Sequence, residues 1–211
     1  MQRFAQIDLH KLFKVRVVVL GSGTGTNCQN LLKLQRENKL GFAKIVAVFS
    51  DNPNAGILEI AKQFGIRSSY LGSYKQLSVN ELKISSNSDQ SWIDTILKEK
   101  PDLIVLAGFM RILSPHFIKS FNSQIINLHP SLLPSFRGLD AIRQAWDLGV
   151  KITGCTVHWV NDELDMGKII DQVPVRINPS DTLESLTAKV HSAEHLLLPS
   201  VVTELARKFN D

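Results

Sequence analysis

The chain has 211 residues, 44% of them apolar, enough for one sizeable core or two small ones. Its 24 basic and 20 acidic side chains give a net charge of +4 with no long like-charge block; this suits small anionic ligands and argues against nucleic acid as a partner. The two cysteines, Cys28 and Cys155, lie far apart without metal spacing, as expected in a reducing cytoplasm, and no apolar run reaches membrane-spanning length.

Residues 1–13 read as an N-terminal extension without a signal-peptide core, and residues 14–211 as one domain. Residues 15–20 form a first buried strand, entering a turn of Gly, Ser and Thr at 21–27. A helix follows, with Leu31 and Leu32 facing inward and Asn38 near its end. Residues 44–49 form strand two, closed by a turn at 50–54. A second helix spans about 56–64, and 66–71 is a short strand. Residues 73–90 are polar, with a loop at 85–89. Residues 92–98 form a helix, 103–107 a buried strand, and a short helix runs through Ser120. The run 124–129 is a strand, and 139–148 a helix. Residues 152–160 and 168–175 form two strands joined as a hairpin-like pair. Asp181 and Glu184 are spaced as a capping box for a long final helix, which Pro199 is expected to kink or split.

Strands alternating with helices predict an α/β fold: a single Rossmann-like domain with a mostly parallel twisted sheet, helices on both faces and a C-terminal hairpin-like strand pair. Ligands of such sheets bind beyond the carboxyl ends of the strands. Three segments fall there: the glycine turn, Met110-Arg111, and Asn127 with His129.

The turn Gly21-Ser22-Gly23-Thr24-Gly25-Thr26-Asn27 lets backbone N–H groups approach an anion at a helix start. It is not a Walker A loop, and Thr26 occupies the third-glycine place of a dinucleotide fingerprint; Asp51, near the end of strand two, keeps the dinucleotide alternative open. A phosphate site is the favoured function, and a tight turn without ligand the plain alternative. Asn127 and His129, two apart on a strand, share a face, and Pro130 and Pro134 stiffen the loop beyond them. An amide N–H and a protonated imidazole there could stabilise oxygen charge developing at a carbonyl. Asp165 is the candidate carboxylate to orient the imidazole, although the local sequence alone favours a plain turn aspartate beside Gly167. Arg111 either binds an anion or caps the sheet edge with its stem buried. His158 alternates with apolar neighbours and reads as a hydrogen-bonded core histidine. Glu194, one turn from His191 and beside His195, reads locally as a solvated helix face.

Asn127-Leu128-His129-Pro130-Ser131-Leu132-Leu133-Pro134, with Asp162-Glu163-Leu164-Asp165-Met166-Gly167, resembles the folate-dependent formyltransferase superfamily. The glycine loop, the segment Ala107 through Pro115 and the length narrow the resemblance to its branch acting on 5'-phosphoribosylglycinamide (GAR). The resemblance implies formyl transfer from 10-formyltetrahydrofolate, as cosubstrate, to the GAR amine in purine biosynthesis, without a metal. It implies catalytic roles for Asn127, His129 and Asp165, overturning the local reading of Asp165. It further implies GAR phosphate and ribose contacts from Gly23, Thr24, Gly25, Thr26, Asn27, His191 and Glu194. Folate contacts fall to Met110, Arg111, Ile112, Leu113, Asn127, Asp162 and Asp165. Partners would be these two small molecules, with no nucleic acid or membrane, for a monomer or homodimer. Arg137 departs from the pattern, since many members carry proline there; Lys75 is a guess for the folate tail. Alternatives are methionyl-tRNA formyltransferase, which normally adds a C-terminal domain, formyltetrahydrofolate deformylase, which normally adds an N-terminal one, or a non-catalytic nucleotide-binding module.

Overall fold

A computed structural model describes residues 15–72, 89–122 and 124–210. The expected extension 1–13, Lys75 and most of the polar 73–90 segment lie outside the described residues. Among those described, the elements in chain order are β1 (Val15–Leu20), α1 (Thr26–Arg36), β2 (Ala43–Ser50), α2 (Gly56–Gln63), β3 (Arg67–Tyr70) and α3 (Gln90–Leu97). They continue with β4 (Leu103–Ala107), α4 (Pro115–Ser120), β5 (Ile125–His129), α5 (Ala141–Asp147), β6 (Ile152–Trp159), β7 (Ile169–Arg176) and α6 (Leu183–Asn210).

The seven strands form one sheet in the order β3-β2-β1-β4-β5-β6-β7. The first five are parallel; β6 runs antiparallel to β5, and β7 antiparallel to β6. This is the expected α/β sheet with its closing strand pair. Strand order reverses between β1 and β4, so the loops leaving those two strands diverge and open a crevice at their carboxyl ends.

The pleat explains the apolar runs. Val15, Val17 and Val19 enter one core with Leu31, Leu32, Ile57, Val190 and Leu197, whereas Val18 and Leu20 enter a second with Phe49, Trp92, Ile96 and Phe117. Successive side chains point to opposite faces, and both faces are covered, so no polar alternation survives in β1.

Two features of α6 differ from expectation. The reciprocal cap of α6 is one residue later than Asp181 and Glu184: Thr182 Oγ1 accepts Ser185 N–H (3.1 Å), and Thr182 N–H donates to Ser185 Oγ (3.0 Å). Asp181 instead accepts from Asn178 N–H (2.7 Å) and Lys189 (2.6 Å). And α6 continues through the buried Pro199 without splitting. Proline has no N–H to give the carbonyl four residues earlier, that of His195. Asn30 Nδ2 of α1 donates to that oxygen at 2.7 Å and takes over the missing bond.

Candidate active site

β5 ends in the crevice with Asn127 and His129 on one face, as their spacing requires. Antiparallel pairing sets His158 of β6 directly opposite Asn127, and Thr156 opposite His129. His158 Nδ1 lies 2.8 Å from the Trp159 carbonyl, which can only accept, so Nδ1 carries the proton. The neutral ring then offers Nε2 to the Asn127 amide N–H at 3.2 Å. By the same logic His129 Nε2–H donates to the Phe136 carbonyl at 2.8 Å. His129 Nδ1 faces Asp165 Oδ2 at 3.5 Å, as a donor only when the ring holds a second proton.

Asp165 sits on the loop between β6 and β7 with φ 51, in the left-handed region that few non-glycine residues adopt. That conformation turns its carboxylate into the site, where it is 7% exposed. Oδ2 accepts Gly138 N–H at 2.8 Å; Oδ1 meets Asn127 Nδ2 at 3.5 Å and His158 Nε2 at 3.7 Å. Burial pushes this carboxyl up, but a hydrogen bond and charge from His158 when its ring takes a second proton, the Gly138 N–H, and the charge of a protonated His129 outweigh it and hold it below its usual range. One carboxylate thus ties Asn127, His129 and His158 together.

Two features hold this geometry. Gly167 passes so close to β6 that a Cβ there would stand 1.6 Å from the Trp159 carbonyl, the group that orients His158. The Pro130–Asp140 stretch is pinned from β6 and β7: Thr156 Oγ1 donates to Ser131 O (2.6 Å) and accepts Leu133 N–H (3.1 Å), and Gln172 Nε2 donates to Leu133 O (3.0 Å). Phe136, at φ 56, and Gly138, at φ 80, then present a carbonyl to His129 and an N–H to Asp165. Exposed Arg137 lies between them.

Across the crevice, β1 runs into the glycine loop. Gly25 caps α1 at φ 82, and a Cβ on it would meet Ile57 at 2.7 Å, so glycine is required for both conformation and space. Among the described residues no side chain caps α1, so its first-turn N–H groups face the crevice behind exposed Gly23, Thr24 and Thr26. Asn27, in that first turn, donates through Nδ2 to Glu194 Oε2 at 2.9 Å, and His191 Nδ1 meets the same oxygen at 3.1 Å. Glu194 is 4% exposed, not the solvated face its local sequence suggested.

The segment leaving β4 is stitched to the glycine loop: Ser22 N–H donates to Gly108 O (3.0 Å), and Met110 N–H to Ser22 Oγ (2.8 Å). Met110 and Ile112 are exposed at the rim, and Leu113 is buried. Arg111 Nε donates to Asp51 Oδ2 at 2.6 Å. That engagement removes the support Asp51 lent to a dinucleotide site. Asp162 is exposed on the Asp165 loop.

Of the expected residues, Asn127, His129 and Asp165 gather in one cluster and the glycine loop with His191 and Glu194 in another, while Met110 to Leu113 stay on the segment leaving β4 and Asp162 on the exposed part of the Asp165 loop. His158 was missed as a site residue because only the β5–β6 register places it opposite Asn127. Gly138 and the Phe136 carbonyl were missed because their parts are played by backbone. Chemically, the first cluster offers an amide N–H and an imidazole to an oxygen, with an ionised carboxylate beside them to relay protons.

A family profile described as "Formyl transferase" matches residues 15–202. The chain is 41% identical over 194 residues to a trifunctional purine biosynthetic protein adenosine-3 from Bos taurus, and 40% identical over 191 residues to that from Drosophila melanogaster. These matches take 92% and 90% of this chain but span only 18% and 14% of those much longer relatives. A solved phosphoribosylglycinamide formyltransferase from Anaplasma phagocytophilum superposes with a TM-score of 0.79 at 40% identity, covering 92% of this chain and 88% of that one. One from Brucella melitensis gives 0.80 at 39%, covering 91% and 95%. Profile, sequence and fold agree, and the chain belongs to the formyl transferase family, among the phosphoribosylglycinamide formyltransferases.

Proposed function

We propose that the protein transfers a formyl group from 10-formyltetrahydrofolate to the primary amine of GAR, a step of purine biosynthesis. The observation that carries this is the joining of Asn127, His129 and Asp165 within hydrogen-bond reach, on the same sheet edge as a glycine loop opening a helix. GAR would lie with its phosphate on the Gly23–Asn27 loop and its ribose toward Glu194. The folate would enter over Met110, Ile112 and Leu113, with Arg111 and the Asp162–Asp165 loop beside it.

Attack of the neutral amine on the formyl carbon creates a tetrahedral centre whose oxygen carries negative charge. Asn127 spends one amide hydrogen on His158 and holds the other in a stretched 3.5 Å contact with Asp165, so that second hydrogen is available to the oxygen. Both nitrogens of His129 face protein groups, so its contribution is the charge of the protonated ring. A donor such as the Asn127 N–H is worth about 2.7–4 kcal/mol of barrier. Asp165 accepts the proton that the amine loses and passes it toward the departing folate nitrogen.

Incubation with 10-formyltetrahydrofolate and one acceptor at a time tests this. Formyl-GAR is the expected product. Formylation of charged methionyl-tRNA, or hydrolysis alone, would replace the proposal with another activity of the superfamily.

A further inference from the structure

β2, β1 and β4 are adjacent and parallel, so the turns leaving them stand side by side at the carboxyl edge of the sheet. Hydrogen bonds join these three turns into a ring that passes through Ser22. Ser22 N–H donates to Gly108 O at 3.0 Å, and Ser22 Oγ accepts Met110 N–H at 2.8 Å. The Ser22 carbonyl accepts Asn52 Nδ2 across a longer 3.4 Å. Arg111, next to Met110, closes the ring by donating to Asp51, next to Asn52, at 2.6 Å. Because β1 lies between β4 and β2, that ion pair crosses the root of the glycine loop. A Cβ on Gly23 or Gly108 would meet nothing within 4 Å, so at these two points hydrogen bonds, not side packing, set where the turns lie.

The ring joins walls that serve different ligands. Resting on the reading of the glycine loop and of Met110–Leu113 as the acceptor and folate walls, we propose that Ser22 is a positioning residue that makes the two ligands bind cooperatively. Gly23, Thr24 and Thr26 are exposed on the acceptor side, and Met110 and Ile112 on the folate side. Exposed walls lose conformational freedom when a ligand covers them, and that ordering costs binding energy. The ligand that arrives first fixes the ring from its own side, and the second finds its wall already set. The Asp51–Arg111 pair stiffens the ring: the Asp51 side chain is 4% exposed and that of Arg111 28%, so salt screens it less than a surface pair. The Ser22 hydroxyl is the joint that can be cut cleanly. Its contact with Met110 N–H is exposed, so alanine leaves that N–H to water and buries no unpaired group.

Calorimetric titration with GAR, alone and in saturating tetrahydrofolate, is the test, since tetrahydrofolate has no formyl group to transfer. In the wild type tetrahydrofolate should tighten GAR binding at least about fivefold, and by linkage GAR should tighten tetrahydrofolate binding by the same factor. In S22A that factor should fall to about one, with GAR alone bound nearly as in the wild type. D51N, which removes the charge that holds Arg111, should lower the factor as well. A serine that only supports the loop would give a variant that binds GAR more weakly by the same amount with and without tetrahydrofolate, leaving the factor at its wild-type value. A wild type without coupling, or full coupling kept in either variant, overturns the inference and leaves the two walls standing. A wild type that binds neither ligand by itself overturns the reading of the walls, and the inference with it.

Discussion

Replacing Asp165 with asparagine keeps the shape of the side chain and removes its charge. The carboxylate accepts from Gly138 N–H at 2.8 Å and from Asn127 Nδ2 at 3.5 Å, on different oxygens. An amide has one oxygen, so in either orientation an NH₂ faces another donor. The larger loss is electrostatic. At the 3.5 Å separation of Asp165 and a protonated His129, an effective dielectric constant of ~20 gives an attraction of about 5 kcal/mol. Not all of this is specific to the transition state, and each ~1.4 kcal/mol is a factor of ten in rate. D165N should therefore lower kcat by about a hundred- to a thousandfold, with the GAR Kd little changed because the phosphate cluster lies apart from this pair. Spectrophotometric initial rates, with calorimetric binding alongside, measure both. Turnover within about tenfold of wild type would refute the assigned role.

The packing sets three further outcomes. G167A forces apart the Asp165 loop and the Trp159 carbonyl, which a Cβ would approach to 1.6 Å; it should cost about 1–3 kcal/mol in chemical denaturation and lower turnover at least tenfold through His158. A folded G167A with wild-type turnover would detach His158 from the reaction. N30A leaves the His195 carbonyl, which Pro199 cannot serve, without a donor, and should lower unfolding free energy by about 1–3 kcal/mol; an unchanged denaturation midpoint would mean that water replaces Asn30 fully. The Lys189 hydrogen bond, then Asn178 N–H and Ser185, hold Asp181 at about 2. A lowered carboxyl contributes stability that is complete above its unfolded value, near 3.8, and is lost as pH falls through about 2. D181N should accordingly show a smaller drop in Tm than wild type between pH 5 and 2.5; equal drops would place the acid sensitivity elsewhere.

Much of this fold is legible because burial on both sheet faces writes apolar runs such as Val17-Val18-Val19-Leu20 and Leu103-Ile104-Val105-Leu106 directly into the chain. The glycine loop and the Asn127/His129 pair are legible because their chemistry is local: positive φ at Gly25, and two polar side chains two residues apart. The features that local pattern left incomplete or misassigned depend on partners distant in sequence. His158 is the buried, hydrogen-bonded histidine its neighbours predicted, and the β5–β6 register adds what they could not, a place opposite Asn127. Asp51 looked like a ribose acid until Arg111, sixty positions on, engaged it. Pro199 was expected to kink or split α6, and the helix runs on unsplit because the amide of Asn30, invisible from α6, serves the His195 carbonyl. The Thr182–Ser185 cap was displaced by one residue because Asp181 had stronger partners in Asn178 and Lys189.

The asparagines of α1 have a wider consequence. Asn27 and Asn30, three residues apart and hence on one helix face, donate to consecutive residues of α6, the Glu194 carboxylate and the His195 carbonyl. The glycine loop is thereby aimed by a helix more than 150 residues downstream. During synthesis the loop and its helix emerge early, yet under the proposed function they remain an unfinished receptor until α6 docks. A ribosome-bound fragment ending before α6 could fold most of the sheet and still hold no phosphorylated ligand. For the same reason, this loop transplanted into another sheet should not carry its affinity with it unless the two amides find new acceptors there.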